Sequence, residues 1–265
     1  MIVVKAGGRV LETNMRNILD SVAKRRDGGV VFVHGGGDIV SKYEKMLGIE
    51  PKIVTSPSGI RSRLTDEREL EVYNMVMAGK LGKEMSAYLN HRGVKAVSLS
   101  GVDSALIRAT RKKRIVIVDE RGRKRAIDGG YTGTISAVDT SIITNLTEMG
   151  YVIVVSPVAL GDEGEMLNVD GDTAASAIAS ALKAEKLILL TDVEGVLLDG
   201  RLVESLTVGQ AQQLLEQIGA GMNRKLMAAA KAVENGVVKA YICSGMGEDP
   251  LKRVEGGKAT IITGL

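Results

Sequence analysis

Two short apolar runs, each ending in glycines and then passing into helical periodicity, constrain this 265-residue chain more than any other feature. Ile2-Val3-Val4 ends in Lys5-Ala6-Gly7-Gly8, and Val30-Val31-Phe32-Val33 ends in His34-Gly35-Gly36-Gly37. Runs this apolar and β-branched suit strands buried on both faces, which sit in parallel sheets covered by helices. Ala96 to Leu99, Val152 to Val155 and Lys186 to Thr191 repeat the pattern, with helical segments between them. The expected fold is an α/β, three-layer α/β/α sandwich with a mainly parallel central sheet. Its ligand-facing loops lie at the strands' C-terminal ends.

The remaining segments fit this frame. Helices are expected from Asn14 as a cap, over Asp38 to Leu47, and from Asp66 through Glu67 to His91 with a break near Gly79 and Gly82. Others run from Thr140 to Met149, from Val208, and from Met222 to Glu234. Residues 50–64 hold two of the four prolines and read as an extended loop or hairpin. Leu106 to Ile127 alternates like β-structure around a Glu120-Arg121-Gly122 turn, and two last strands cover Val237 to Ile242 and Ala259 to Ile262. No fixed-period repeat or linker divides the chain. One domain over 1–265 is expected, its lobes 1–167 and 168–265 meeting near residues 165–172.

Composition excludes several function classes. A single cysteine, Cys243, rules out a disulfide framework and points to a reducing compartment. The opening apolar run is too short for a signal peptide, and no run reaches the roughly 18 apolar residues of a membrane span. A soluble, cytoplasmic protein is expected. With no Trp, one Phe and six Tyr, a base-stacking platform for nucleic acid is not expected.

Chemistry concentrates at a few places. Lys5 to Gly8 and Gly35 to Gly37 let backbone amides approach an anion, each with a helix N-terminus behind it. Neither is a Walker loop, and no Gly-x-Gly-x-x-Gly follows a strand. Lys5 ends an apolar strand, a poor place for a surface lysine. Lys225, in Gly221-Met222-Asn223-Arg224-Lys225, stands near a helix N-terminus, where a cation is disfavoured. Both placements call for a partner, Asp172 or a phosphate, although Lys225 taken singly reads as a solvated helix residue. Asn168, Asp170 and Asp172 crowd one turn before an Ala-rich helix; capping by Asp172 or Thr173 explains any one of them, but not all three.

Arg61 and Arg63 precede the Asp66 helix start and could clamp a carboxylate, Arg63 being the better candidate. Asp192 ends a strand next to Thr191. His34 and His91 form no metal pair, His34 is read as shaping its loop, and neither a zinc site nor a hydrolase triad is present in the pattern. Residues 108–125 carry nine cations (Arg108, Arg111, Lys112, Lys113, Arg114, Arg121, Arg123, Lys124, Arg125) against Asp119 and Glu120. That clustering favours an acidic partner surface over a merely solvated hairpin.

Together these motifs resemble the amino-acid kinase family along the whole chain. The Lys5 to Gly8 opening, the His34 to Gly37 loop, Arg63-Leu64-Thr65-Asp66, the Asn168 to Asp172 turn and Gly221-Met222 to Lys225 stand in the order found in N-acetylglutamate kinases. Within the family the chain looks most like the branch whose substrate rides on the acidic amino-group carrier protein LysW. That likeness rests on Ser62 to Asp66, Gly130-Tyr131-Thr132-Gly133 and Asn168-Val169-Asp170-Gly171-Asp172. N-acetylglutamate kinases usually carry Asn-x-Asn-Ala-Asp at the last of these, so Asp170-Gly171 departs from them.

The resemblance implies ATP-dependent phosphorylation of the side-chain carboxylate of carrier-linked 2-aminoadipate, and possible use of glutamate, in lysine and arginine biosynthesis. Catalytic roles fall on Lys5, Lys225 and Asp172; the amides of Gly8 and Gly36 surround the phosphoryl oxygens. Gly36, Gly37, Arg63 and Asn168 hold the substrate, and Thr191 and Asp192 face ATP, with Mg²⁺ bound mainly through phosphates. The carrier docks on the 108–125 hairpin, and relatives of this kind form homodimers. The alternatives are a kinase of free N-acetylglutamate and a non-catalytic nucleotide-binding protein of the same fold.

Overall fold

The computed structural model describes residues 1–215 and 217–264. In chain order, β1 (Ile2–Ala6) leads into α1 (Gly8–Ala23), and β2 (Val30–His34) into α2 (Gly37–Met46). The ribbon of β3 (Ile53–Thr55) and β4 (Arg61–Arg63) precedes α3 (Glu67–Asn74), which runs through a π-helical turn (Met75–Leu81) into α4 (Gly82–His91). Then come β5 (Ala96–Ser100), β6 (Ile107–Arg111), β7 (Arg114–Val118), β8 (Lys124–Asp128) and β9 (Gly133–Val138). They are followed by α5 (Ser141–Glu148), β10 (Val152–Ser156), β11 (Val158–Gly161) and β12 (Met166–Asn168). The C-terminal part holds α6 (Gly171–Ala181), β13 (Lys186–Thr191), β14 (Leu197–Leu198), β15 (Arg201–Leu202) and β16 (Ser205–Thr207). It closes with α7 (Val208–Leu214), α8 (Ala220–Glu234), β17 (Lys239–Ser244), α9 (Lys252–Glu255) and β18 (Thr260–Thr263).

The central sheet has the order β16-β18-β17-β13-β1-β2-β10-β5, and every neighbouring pair is parallel except β17–β18. Alternation along each strand feeds two cores, one per face. Val3, Val31, Val155 and Leu189 pack with Ile178 of α6 and Leu226 of α8; Val4, Phe32, Val154 and Leu190 pack with Ile18 of α1 and Met85 of α4. This is the expected three-layer sandwich.

β1 lies mid-sheet with β2 on one side and β13 on the other, in matched register: Lys5 pairs with Val33 and with Leu189. The helices that follow β1 and β2, α1 and α2, pack on one face of the sheet, whereas α8, which comes after β13, packs on the other, so the chain leaves β13 away from the two glycine loops. A parallel sheet has its crevice for a ligand at such a point.

One helix start differs from the sequence reading by more than two residues. α1 begins at Gly8 with Gly7 as N-cap, and Asn14 sits at a kink inside it (φ −139°, ψ 22°). The Asn14 amide donates to the carbonyls of Gly245 and Gly247, both at 2.8 Å. A residue that suits caps thus secures a bend. Cys243 is buried at the end of β17, and burial pushes its thiol up to about 12, so it stays protonated. Among the described residues no helix is long and apolar enough to cross a membrane.

Candidate active site

A cavity of about 750 Å³ opens at the C-terminal ends of β1, β2 and β13, and Gly8, Gly37, Asp172, Thr191, Asp192 and Lys225 line it. Its floor is built on α6. Asp170, rather than Asp172 or Thr173, is the N-cap: its Oδ1 accepts from the backbone N–H of Thr173 at 2.9 Å. That leaves the Asp172 carboxylate free to turn toward the lysines. Lys5 Nζ lies 2.7 Å from Asp172 Oδ1, and Lys225 Nζ lies 3.1 and 3.0 Å from its two oxygens. The side chains are 7%, 7% and 14% exposed for Asp172, Lys5 and Lys225, so solvent screens this triad little. The solvated reading of Lys225 does not hold.

Two cations share one anion, and the cluster carries a surplus positive charge aimed at the cavity. Burial opposes the charge on Asp172, yet Lys5 and Lys225 outweigh it and hold the carboxyl well below the usual carboxylate range. Burial also opposes the charge on Lys5, but Asp172 and Asp170 more than compensate and keep its pKa above the ordinary 10.5. Lys225 takes the strain of the shared site: burial first, then the neighbouring Lys5 charge, lower it to about 8. A phosphate, adding negative charge, would relieve that strain.

The glycine loops meet above the triad. A Cβ on Gly8 would lie 3.2 Å from the Gly36 Cα, and one on Gly36 would collide with Leu81 and sit 2.9 Å from Met77 Sδ. Only glycines allow these loops, backed by the π-helical turn, to approach so closely. Neither α1 nor α2 has a side-chain N-cap, so first-turn N–H groups are left for a ligand. His34 is fully buried, with Nδ1 3.2 Å from the Gly35 oxygen, and burial lowers its pKa to about 4. It stays neutral at pH 7 and shapes the loop.

Arg63 is not free to clamp by itself. Its guanidinium pairs with the fully buried Glu44 of α2 and donates to the Gly37 carbonyl at 2.9 Å, fixing the second glycine loop from outside. Burial raises the Glu44 carboxyl above its ordinary value, against the pull of Arg63. Arg63 still forms cavity wall beside Arg61. Lys5, Gly36 and Asn168 are outside the cavity lining, and the Asn168 amide donates to Thr65 Oγ1 at 2.9 Å. Thr191 Oγ1 donates to Asp192 Oδ1 at 3.1 Å, and exposed Arg9 reaches Asp192 at 3.3 Å.

The sequence reading missed Arg9 and Arg224, which line the cavity, Glu44, which pairs with Arg63, and the capping role of Asp170. Arg9 directly follows the Gly8 loop, the one signal that could have raised it.

The basic segment forms β6, the two-stranded β7–β8 ribbon and their turn, with β7 beside β3 at the cavity's edge. Arg111 stacks 4.1 Å from the Tyr131 ring centre and donates to the Gly130 carbonyl. Lys113 pairs with Glu163 at 3.1 Å, and Arg123 with Asp119 at 3.1 Å. Arg108, Lys112, Arg114, Arg121, Lys124 and Arg125 are exposed.

Glycine loops at a switch point, facing two lysines locked on one carboxylate, give a site on a three-layer α/β fold suited to a phosphate. The chain belongs to the amino acid kinase family, whose profile matches residues 1–244. It is 49% identical over 263 residues to a Sulfolobus acidocaldarius protein named LysW-aminoadipate/LysW-glutamate kinase, covering 99% of this chain and 100% of that one. A Saccharolobus solfataricus protein of the same name is 52% identical over 252 residues, 95% of each. Among solved structures, smu.665 of Streptococcus mutans UA159 superposes with a TM-score of 0.80 at 28% identity, over 100% of this chain and 98% of that one.

Proposed function

We propose that this kinase transfers the γ-phosphoryl group of ATP to the side-chain carboxylate of 2-aminoadipate or glutamate whose α-amino group is joined to the acidic carrier protein LysW. The observation that carries the reading is the Lys5–Asp172–Lys225 triad beneath two uncapped glycine loops. The names of relatives at 49% and 52% identity supply the acceptor.

A carboxylate is ionised at neutral pH, so no general base is required and positioning with charge neutralisation suffices. Lys5 and Lys225 face the oxygens of the group in transfer, with the amides of Gly8 and Gly36 around it. Asp172 holds the two lysines in register. Arg63, through Gly37, sets the substrate loop, and Asn168 with the Gly36 and Gly37 amides receives the acyl end. The 1–167 lobe presents the acceptor, and the 168–265 lobe, through Thr191 and Asp192, faces ATP. Mg²⁺ would ride on the phosphates: both lysines occupy Asp172, and the described residues hold no group of three His, Cys, Asp or Glu to cage an ion. Two copies of the chain form a dimer in this reading.

Because β7 packs beside β3, whose Ile53 lines the cavity, the exposed cations of the β7–β8 ribbon would be met by a carrier holding the acyl chain. Replacing Arg114, Arg121, Lys124 and Arg125 by glutamine is expected to lower kcat/KM for carrier-linked substrate about 10- to 100-fold and to flatten its salt dependence. Turnover of a free acyl amino acid should change less than about twofold, since it makes no such contact. Steady-state kinetics at two ionic strengths check this; equal losses for both substrates would remove the docking role.

A further inference from the structure

The chemistry above leaves the Asp170–Arg224 pair without a use. Asp170 Oδ1 caps α6 and also accepts from Thr173 Oγ1 at 3.0 Å, while its Oδ2 lies 2.8 Å from Arg224 Nη1 on α8. The second nitrogen of the same guanidinium donates to the backbone carbonyl of Arg61 in β4. One side chain thus joins α6, α8 and the β3–β4 ribbon, whose residues lie more than a hundred positions from the other two in sequence. Its neighbour Lys225 makes the parallel link from α8 to Asp172.

The ribbon needs such a link. β3 and β4 form a sheet of their own, outside the central one, and a two-stranded ribbon alone is marginally stable. Yet Ile53, Arg61, Ser62 and Arg63 line the same cavity as Lys225 and Asp172. Arg63 anchors the end of β4 to Glu44; Arg224 anchors the start of β4 to the phosphate side. The planar guanidinium can serve two acceptors in fixed geometry, which an ammonium cannot. Arg224 and Asp170 are about three-quarters covered, so the pair is partly shielded from salt.

We infer that Arg224 is a positioning residue: it latches the β3–β4 ribbon to the α6 and α8 N-termini and keeps the acyl-side wall in register with the triad. Its kinetic consequence rests on the kinase reading; its structural consequence does not. The experiment compares wild type with Arg224→Met, Arg224→Lys and Asp170→Asn, the last retaining a capping side chain while deleting the charge.

Hydrogen exchange of amides 53–63 is expected to quicken about tenfold in Arg224→Met while β1 and β2 are unchanged, with Arg224→Lys intermediate. KM for the acyl substrate should rise about tenfold and KM for ATP less than about twofold, and adding Asp170→Asn to Arg224→Met should change little further. Ribbon exchange unchanged in both Arg224 variants overturns the latch, as does an equal rise of both KM values. If the wild type phosphorylates no acyl substrate, the kinase reading falls and exchange alone decides the latch. If the wild type is active and the ribbon exchanges as before, the latch falls and the kinase stands.

Discussion

Asp172→Asn should lose both activity and stability, and the stability loss should depend on pH in a direction the triad dictates. The amide keeps the volume and removes the one anion between two buried ammonium groups, 2.7 and 3.0 Å from it in the native protein. Deleting one partner of a buried ionic cluster costs roughly 3–5 kcal/mol, a fall in melting temperature on the order of 10 °C for a chain of this size. Without Asp172 both lysines have folded pKa values below their unfolded ones. Below those folded values both states hold the protons and the penalty is full, as at pH 6; it shrinks as pH rises through them, where the folded protein sheds a proton that the unfolded chain keeps. The native Asp172 acts oppositely: its depressed pKa adds stability that is complete above the ordinary 3.8 and is lost as pH falls through the folded value. Thermal melts at pH 6 and pH 9 check the sign; a variant as stable as wild type at pH 6 would mean that the lysines do not depend on this carboxylate. Its kcat should fall about 10³-fold, because both cations lose their alignment.

Lys5→Ala is expected to lower kcat about 10³-fold or more with KM for either substrate changed far less, since in the proposed mechanism its charge matters most as the phosphoryl group leaves ATP. Asp172 keeps Lys225 as partner, so the protein should remain folded. Lys5→Arg should not restore the rate: the site around Lys5 is closed, and a guanidinium is too large for it. Lys225 sets the companion pH effect. With its pKa near 8 in the free protein, kcat/KM should decline as pH rises through about 8, while kcat holds to higher pH because bound phosphates favour the charged lysine. Single-turnover rates across pH 6–10 check both; a fully active Lys5→Ala protein would end the proposed mechanism.

Much of this was legible in the residues. A lysine ending an apolar strand, glycines after two strands and an Asp beside a helix start are each odd enough to require a partner, and the fold supplies that partner. Glu44 was not legible, because in Gly37–Met46 it looks like any polar helix residue; only the tertiary path of Arg63 turns it inward. Arg224 was hidden beside Lys225, and its acceptors come from α6 and β4, which no spacing rule connects. Asp66 caps α3 as read, whereas Asn14, Asp172 and Thr173 failed as caps for one reason: they are cap-type residues near helix starts, but Gly7 and Asp170 hold those positions. Residue type names a preference, whereas position in the turn decides its use.

The most direct measurement is ATP-dependent hydroxamate trapping of the acyl phosphate with three acceptors: LysW carrying 2-aminoadipate, LysW carrying glutamate, and free N-acetylglutamate. The expected result is product with one or both carrier-linked substrates and little with N-acetylglutamate. Product from N-acetylglutamate alone would contradict the carrier-dependent function, and ATP binding with no product from any acceptor would contradict phosphoryl transfer to these carboxylates.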